Sequence, residues 1–258
     1  MSWILLRGLT REARHWGTLP QQLASALQAP GPARVVALDL PGNGQFCQQA
    51  SPTCVRGMTD FARQQLQATG LPPPYRLLAM SLGGMVAADW AQRYPNEVTR
   101  LVLVNTSMRP FSNAPQRLRP ANWLPLALLA ARWGDADYAE RTIHQLTCND
   151  VSARDDDMAA WLEIRKSAPV AAANAARQLL AAARFSCAPA APACGVLVLS
   201  SGADRLVDPL CSAQLAAAWQ VAHHQHPWAG HDLPHDDAAW VCQKVADWLI
   251  ESTESVHS

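Results

Sequence analysis

Residues 75–88, YRLLAMSLGGMVAA, place a short apolar run, a serine and two glycines ahead of a second apolar segment. The pattern predicts a strand, a sharp turn at Ser81 and a helix, the geometry that exposes a hydroxyl at the end of a sheet. Small residues are required beside such a serine because the turn brings strand and helix backbones together. Ala79 and Gly83 stand at those two places, with alanine where glycine is commoner.

The rest of the chain is read outward from this joint. Apolar runs at Trp3–Leu6, Arg34–Leu40, Tyr75–Met80, Leu101–Asn105, Gly195–Ser200 and Val221–Pro227 are expected strands. Helical patterns separate them: His15–Leu27, with Trp16, Leu19, Leu23 and Leu27 on one face, then Val55–Ala68, and a helix from the serine to about Tyr94. Ala29-Pro30-Gly31-Pro32 is a stop signal for the first helix, and Gly70 with Pro72–Pro74 for the second. Asp208 and Pro209 are expected to open a helix reaching Trp219, and a last helix covers Asp237–Ile250 before a polar tail after Glu251. Strict alternation predicts a parallel sheet of about six strands, with right-handed crossovers, helices on both faces and ligands at the carboxyl ends of the strands.

Between Thr106 and Phe185 the strand signal stops. Helices are expected near Leu124–Arg132, Ala136–Leu146, Met158–Ser167 and Val170–Ala183. The expected organisation is a core of residues 1–105 and 186–258, with residues 106–185 inserted as a helical cap above the strand ends. Trp123, Leu126 and Trp161, with Leu124, Leu129 and Trp133, are the expected apolar wall for a substrate.

Composition narrows the function classes. Formal net charge is +0 and no Lys/Arg block occurs, which excludes a nucleic-acid partner. Hydrophobic residues make up 49% and charged residues 16%, enough for a large core. The longest apolar segment, Leu124–Ala131, contains Pro125 and is too short to span a bilayer, and no signal-peptide pattern opens the chain. The 7 cysteines are scattered with no Cys-x-x-Cys pair. Free thiols in a reducing cytoplasm are expected, with no metal site and no cofactor.

A nucleophilic serine needs a base, and the base needs an orienting acid. Asp204 follows the fifth strand and His231 the sixth, so both fall at the end where Ser81 lies. Asp208 and His235 are the rivals, Asp208 being better suited to capping. The backbone N–H groups of Leu82 and Leu9 are the expected oxyanion donors, and Thr10 adds a hydroxyl or makes a turn.

Five blocks in order carry a resemblance: Leu5–Leu9, Asp39-Leu40-Pro41-Gly42-Asn43-Gly44, Ala79–Gly84, Gly202-Ala203-Asp204 with Leu206–Pro209, and Gly230-His231. From Leu5 to Leu249 the chain resembles the α/β-hydrolase superfamily, and within it the small carboxylesterases that include the pimeloyl-acyl-carrier-protein methyl esterase family. The resemblance implies a Ser81–Asp204–His231 triad cleaving a carboxylic ester through an acyl-enzyme. Thioesterase, C–C bond hydrolase, cofactor-free perhydrolase and silent ligand binder are the alternatives on the same fold. It also raises an acyl carrier protein as partner. Residues 106–185 hold ten Arg/Lys against eight Asp/Glu, too small an excess to argue for an acidic carrier from charge. Two departures stand out: Arg7 replaces a commoner histidine and is expected either to alter the pocket wall or to leave a cation near the oxyanion loop, and the usual leading hairpin is missing, so a six-stranded, all-parallel sheet is expected.

Overall fold

The computed structural model describes residues 1–27 and 34–254. The expected stop at Ala29–Pro32 lies outside the described residues. The strands are β1 (Trp3–Leu6), β2 (Val35–Leu38), β3 (Tyr75–Met80), β4 (Val98–Val104), β5 (Gly195–Ser201) and β6 (Ala222–His226). They form one sheet in the order β2-β1-β3-β4-β5-β6, every adjacent pair parallel. The chain runs outward from β1 to β2, then returns to β3 on the other side of β1. The switch point therefore lies between β1 and β3, where Leu6 is level with Ala79.

Helices α1 (Leu19–Ala26), α2 (Val55–Ala68) and α3 (Leu82–Arg93) belong to the first half. Between β4 and β5 run α4 (Ala114–Arg117), α5 (Trp123–Ala131), α6 (Ala136–Thr147), α7 (Arg154–Ser167) and α8 (Ala172–Arg184). Helices α9 (Leu210–Trp219), α10 (Leu233–Asp236) and α11 (Ala238–Glu254) complete the chain.

Both faces of the sheet are covered, so alternate strand residues enter two cores. Ile4, Leu77, Leu101 and Val196 pack with α2, α3 and α9. Trp3, Leu78, Val102 and Leu197 pack with α1 and α11. Among the described residues no helix is long and apolar enough to cross a membrane.

Some boundaries differ from expectation. The helix expected over His15–Leu27 is broken into a 3-10 turn, Ala13–Trp16, and α1, because Gly17 takes φ 53° and Pro20 fits only a first turn. β2 ends at Leu38 because Asp39 turns inward to accept from the amides of Ala13 and Gln45, at 2.7 and 3.0 Å. Gly44 closes that turn: its φ is 51°, and a Cβ there would lie 2.1 Å from Asp39 Oδ2. Asp208 accepts from the Leu210 amide at 3.0 Å, but the N-cap of α9 is Pro209 and not Asp208, because the helix opens one residue later than expected, at Leu210. The expected polar tail begins later, since α11 continues to Glu254. The α10 turn escaped the pattern because four residues carry no period.

Candidate active site

Ser81 sits between β3 and α3 with φ 53° and ψ −118°, a strained backbone for a residue with a side chain. Two fixings hold it there. Its amide donates to Val104 O at 3.0 Å, and its carbonyl accepts from the Met85 amide at 3.2 Å. Gly83 permits the turn, since a Cβ there would lie 2.3 Å from Leu6 O and 2.5 Å from Arg7 O. Ala79 is fully buried beside them.

The structure brings the three sequence-derived residues together. His231 Nε2 lies 3.1 Å from Ser81 Oγ, and His231 Nδ1 lies 2.7 Å from Asp204 Oδ2. The other Asp204 oxygen, Oδ1, accepts from the amides of Leu206 and Val207 at 2.8 and 2.9 Å, which orients the carboxylate toward the imidazole. Burial drives the His231 pKa down, but the charge and hydrogen bond of Asp204, helped by Asp232, outweigh it. The net direction is upward from the ordinary 6.5. The rivals are elsewhere: His235 Nε2 faces Asp157 at 3.1 Å, and Asp208 is occupied at α9.

Two features near His231, Asn105 and Asp236, had no sequence signal. Asn105, at the end of β4 with φ 45°, donates to His231 O at 2.7 Å and to Ser201 Oγ at 2.9 Å, and its Oδ1 accepts from the Ser201 amide. Gly230, already part of the Gly230-His231 block of the sequence, serves close packing, because a Cβ there would lie 2.5 Å from Thr147 O, and the Asp232 amide donates to that same carbonyl at 2.7 Å. Asp236 gathers the amides of Gly230, Asn149 and Asp150.

Arg7, for which the sequence left two expectations, lies in the wall of the smaller cavity and is not an unpaired cation. It pairs through both terminal nitrogens with Asp232, Nη1 to Oδ1 at 3.0 Å, and both side chains are buried. Burial would raise the Asp232 pKa, but Arg7 reverses it and holds the carboxyl below its usual range.

The loop after β1 adjoins the serine: a Cβ on Gly8 would stand 3.3 Å from Ser81 Cβ. Leu9 lies in this loop, and Leu82 is the first residue of α3. Thr10 makes a left-handed turn, φ 58°, with its amide donating to Gln178 Oε1 at 2.8 Å. Gln178, fully buried on α8, also donates to Asn43 Oδ1 and Ser51 Oγ at 2.8 and 3.0 Å. One side chain thus ties the loop after β1 to the loop after β2.

Two cavities meet at Ser81 and His231. One, about 380 Å³, is walled by Met85, Trp123, Leu179 and Ala182; the other, about 120 Å³, by Leu129, Trp133, Ile143 and Leu146. Leu9, Leu126 and Leu206 line both. Of the expected apolar wall, Trp123, Leu126, Leu129 and Trp133 are therefore in place. Leu124 is 69% exposed and faces away. Trp161 also requires correction: it is buried among His15, His144, His235 and Arg11 and lines neither cavity. Its face of α7 packs toward the loop after β1 and toward α10, to the side of the serine.

The seven cysteines are unpaired. Among proteins of known name, the chain is similar to the pimeloyl-[acyl-carrier protein] methyl ester esterases of Aromatoleum aromaticum, 36% identical over 104 residues, and Chromobacterium violaceum, 43% identical over 72 residues. Those matches take in 40% and 28% of this chain and only 36% and 26% of the two relatives' length. Among solved structures, the enol-lactonase of Burkholderia xenovorans LB400 superposes with a TM-score of 0.76 at 19% identity, covering 96% of this chain and 91% of that one. A thermophilic esterase from Thermogutta terrifontis gives 0.72 at 23% identity, covering 97% and 90%. These likenesses reach the fold, and the model of the alpha/beta hydrolase family matches residues 3–244. The chain belongs to the alpha/beta hydrolase family.

Proposed function

We propose that this protein is a serine hydrolase that cleaves a carboxylic ester. The observation that carries the reading is the unbroken relay Ser81–His231–Asp204, with distances of 3.1 and 2.7 Å, at the floor of two apolar cavities. His231 Nε2 takes the Ser81 proton as Oγ attacks the acyl carbon, then returns it to the leaving alcohol. Asp204 fixes the tautomer that leaves Nε2 free to accept, and stabilises the imidazolium that forms. The amides of Leu9 and Leu82 are assigned to the oxyanion, supported by the contact of Gly8 with Ser81 and by the α3 N-terminus at Leu82. Water, activated by the same imidazole, then releases the acid.

Residues 106–185 act as the cap in this reading, since Leu126, Leu129 and Leu179 roof the serine. The larger cavity takes the acyl chain and the smaller one the alcohol. The named relatives support an acyl ester, free or carrier-bound, as the substrate form to screen first. The unpaired cysteines support a cytoplasmic setting.

The test is a fluorophosphonate probe together with p-nitrophenyl esters of graded chain length. Labelling confined to Ser81, with label and turnover both lost in Ser81→Ala, is the expected result. An unlabelled wild-type protein with no turnover would place it among silent binders, and undiminished turnover in Ser81→Ala would move the chemistry off Ser81.

A further inference from the structure

Away from the serine, a second cluster of chemistry-bearing side chains lies where α6 and α7 meet α10. His144 is in the last turn of α6, and Cys148 follows that helix four positions later. His235 comes from α10. One ligand atom from each of the three lies within 4.8 Å of the others. His144 and Cys148 are each 1% exposed.

Asp157 of α7 organises the two rings. Its Oδ2 lies 3.3 Å from His144 Nε2 and 3.1 Å from His235 Nε2. A carboxylate facing both Nε2 atoms selects the tautomers that carry hydrogen there and place the lone pairs on Nδ1. The Nδ1 of His144 is buried and has no partner among the described residues. A buried acceptor left unmatched is the exception in folded proteins and calls for an explanation. Trp161 walls the cluster, its ring 5.3 Å from each imidazole.

We propose that His144, Cys148 and His235 bind one divalent transition-metal ion of the zinc class, with Asp157 holding both imidazoles in register. Two imidazoles and a thiolate form a borderline-soft donor set that suits zinc, and a carboxylate on the far nitrogen of each histidine is the partner that ligating imidazoles use. Cys148 enters as a buried free thiol. Binding then replaces the S–H bond by a sulfur–metal bond and releases that proton to solvent. Zinc–ligand distances of about 2.0–2.3 Å require the three donors to draw together from their present spacing. His235 is the least buried of the three. The exposed residues 151–156 adjoin Asp157 and supply the entry side.

The site joins the segment between β4 and β5 to the loop that carries His231, so a bound ion clamps the roof of the serine onto its base loop. The inference does not depend on the ester reading, because its readout is the metal. The full-length protein, stripped with a chelator, is titrated with Co²⁺ as a spectroscopic substitute for zinc. The expected result is a thiolate-to-cobalt charge-transfer band saturating at one equivalent, bleached by added Zn²⁺. The band is expected to vanish in Cys148→Ser and persist in Cys211→Ser, another buried thiol. Asp157→Asn is expected to weaken affinity roughly 10–100-fold. Should Cys148→Ser fail to fold, His235→Asn decides: loss of at least about tenfold in affinity supports the site, and unchanged affinity overturns it. Absence of the band in the wild-type protein, or its survival in folded Cys148→Ser, also overturns it.

Discussion

Arg7 and Asp232 face each other through two parallel hydrogen bonds in the buried wall beside His231. Arg7 follows β1 and Asp232 follows His231 in sequence, so the pair ties the two loops that flank the serine. The Trp16 ring lies 4.8 Å from the guanidinium and closes the pair off from water. Such a pair holds geometry more than it stabilises, but breaking it strands a charge.

Arg7→Met is therefore expected to destabilise the fold by about 3–5 kcal/mol, because Asp232 would be left charged and buried. Arg7→Met with Asp232→Leu should recover most of that loss. Urea denaturation of both variants measures it, and a double variant no more stable than the single one would contradict the account.

The pH profile follows from His231. Acylation needs the neutral imidazole, and its pKa is raised, so kcat/KM should climb with pH through a midpoint above 6.5. The stability linkage runs the other way. A raised folded-state pKa contributes stability that is complete below the unfolded value and is lost as pH rises through the folded one. Asp204→Asn removes the main raising influence and leaves burial dominant. Its residual activity, down about 10⁴-fold, should show a midpoint shifted toward acid. A midpoint that stays in place would mean that Asp204 does not set the titration.

Gln178 is expected to be a positioning residue for the loop after β1. Gln178→Leu leaves the Thr10 amide without its partner. The cost should be about 1–3 kcal/mol in stability, and the loop shift should slow fluorophosphonate labelling of Ser81 by about tenfold or more. An unchanged labelling rate in a folded variant would reduce Gln178 to a packing role.

The two small residues of the serine turn should respond differently. Gly83→Ala drives a methyl into the Leu6 carbonyl and is expected to cost at least about 1–3 kcal/mol, read as lost thermal stability and lost labelling. Ala79→Gly should change stability by no more than about 1 kcal/mol, the ordinary price of glycine in a strand. Equal effects of the two substitutions would refute the steric account of the turn.

Leu126 lines both cavities, so Leu126→Trp should narrow them together. Turnover of long-chain p-nitrophenyl esters is expected to fall further than that of the acetate. A uniform loss across chain lengths would show that Leu126 does not bound the acyl site.

The alternation of apolar runs and helical periods was enough to specify a six-stranded parallel sheet. Parallel strands buried on both faces must be continuously apolar, and their crossovers must be helices. The same local logic placed Ser81, Asp204 and His231 at one end of the sheet, since in this topology every strand's carboxyl end faces one way. It also found the bond of Asp208 to the start of α9, which depends on residues close together in the chain.

What the sequence could not hold was any relationship set by packing between distant segments. Trp161 and Trp123 are alike as aromatic residues on helices, yet only Trp123 reaches a cavity, because the rotation of each helix about its axis is decided by what it packs against. Arg7 with Asp232, Gln178 with Thr10 and Asn105 with the His231 carbonyl lie far apart in sequence and carry no period or spacing. His144, Cys148 and His235 likewise meet only once α6, α7 and α10 are docked. Local chemistry determined the strands, the turns and the order of the candidate catalytic groups; burial and close approach in three dimensions decided which side chains hold those groups in place and which walls surround them.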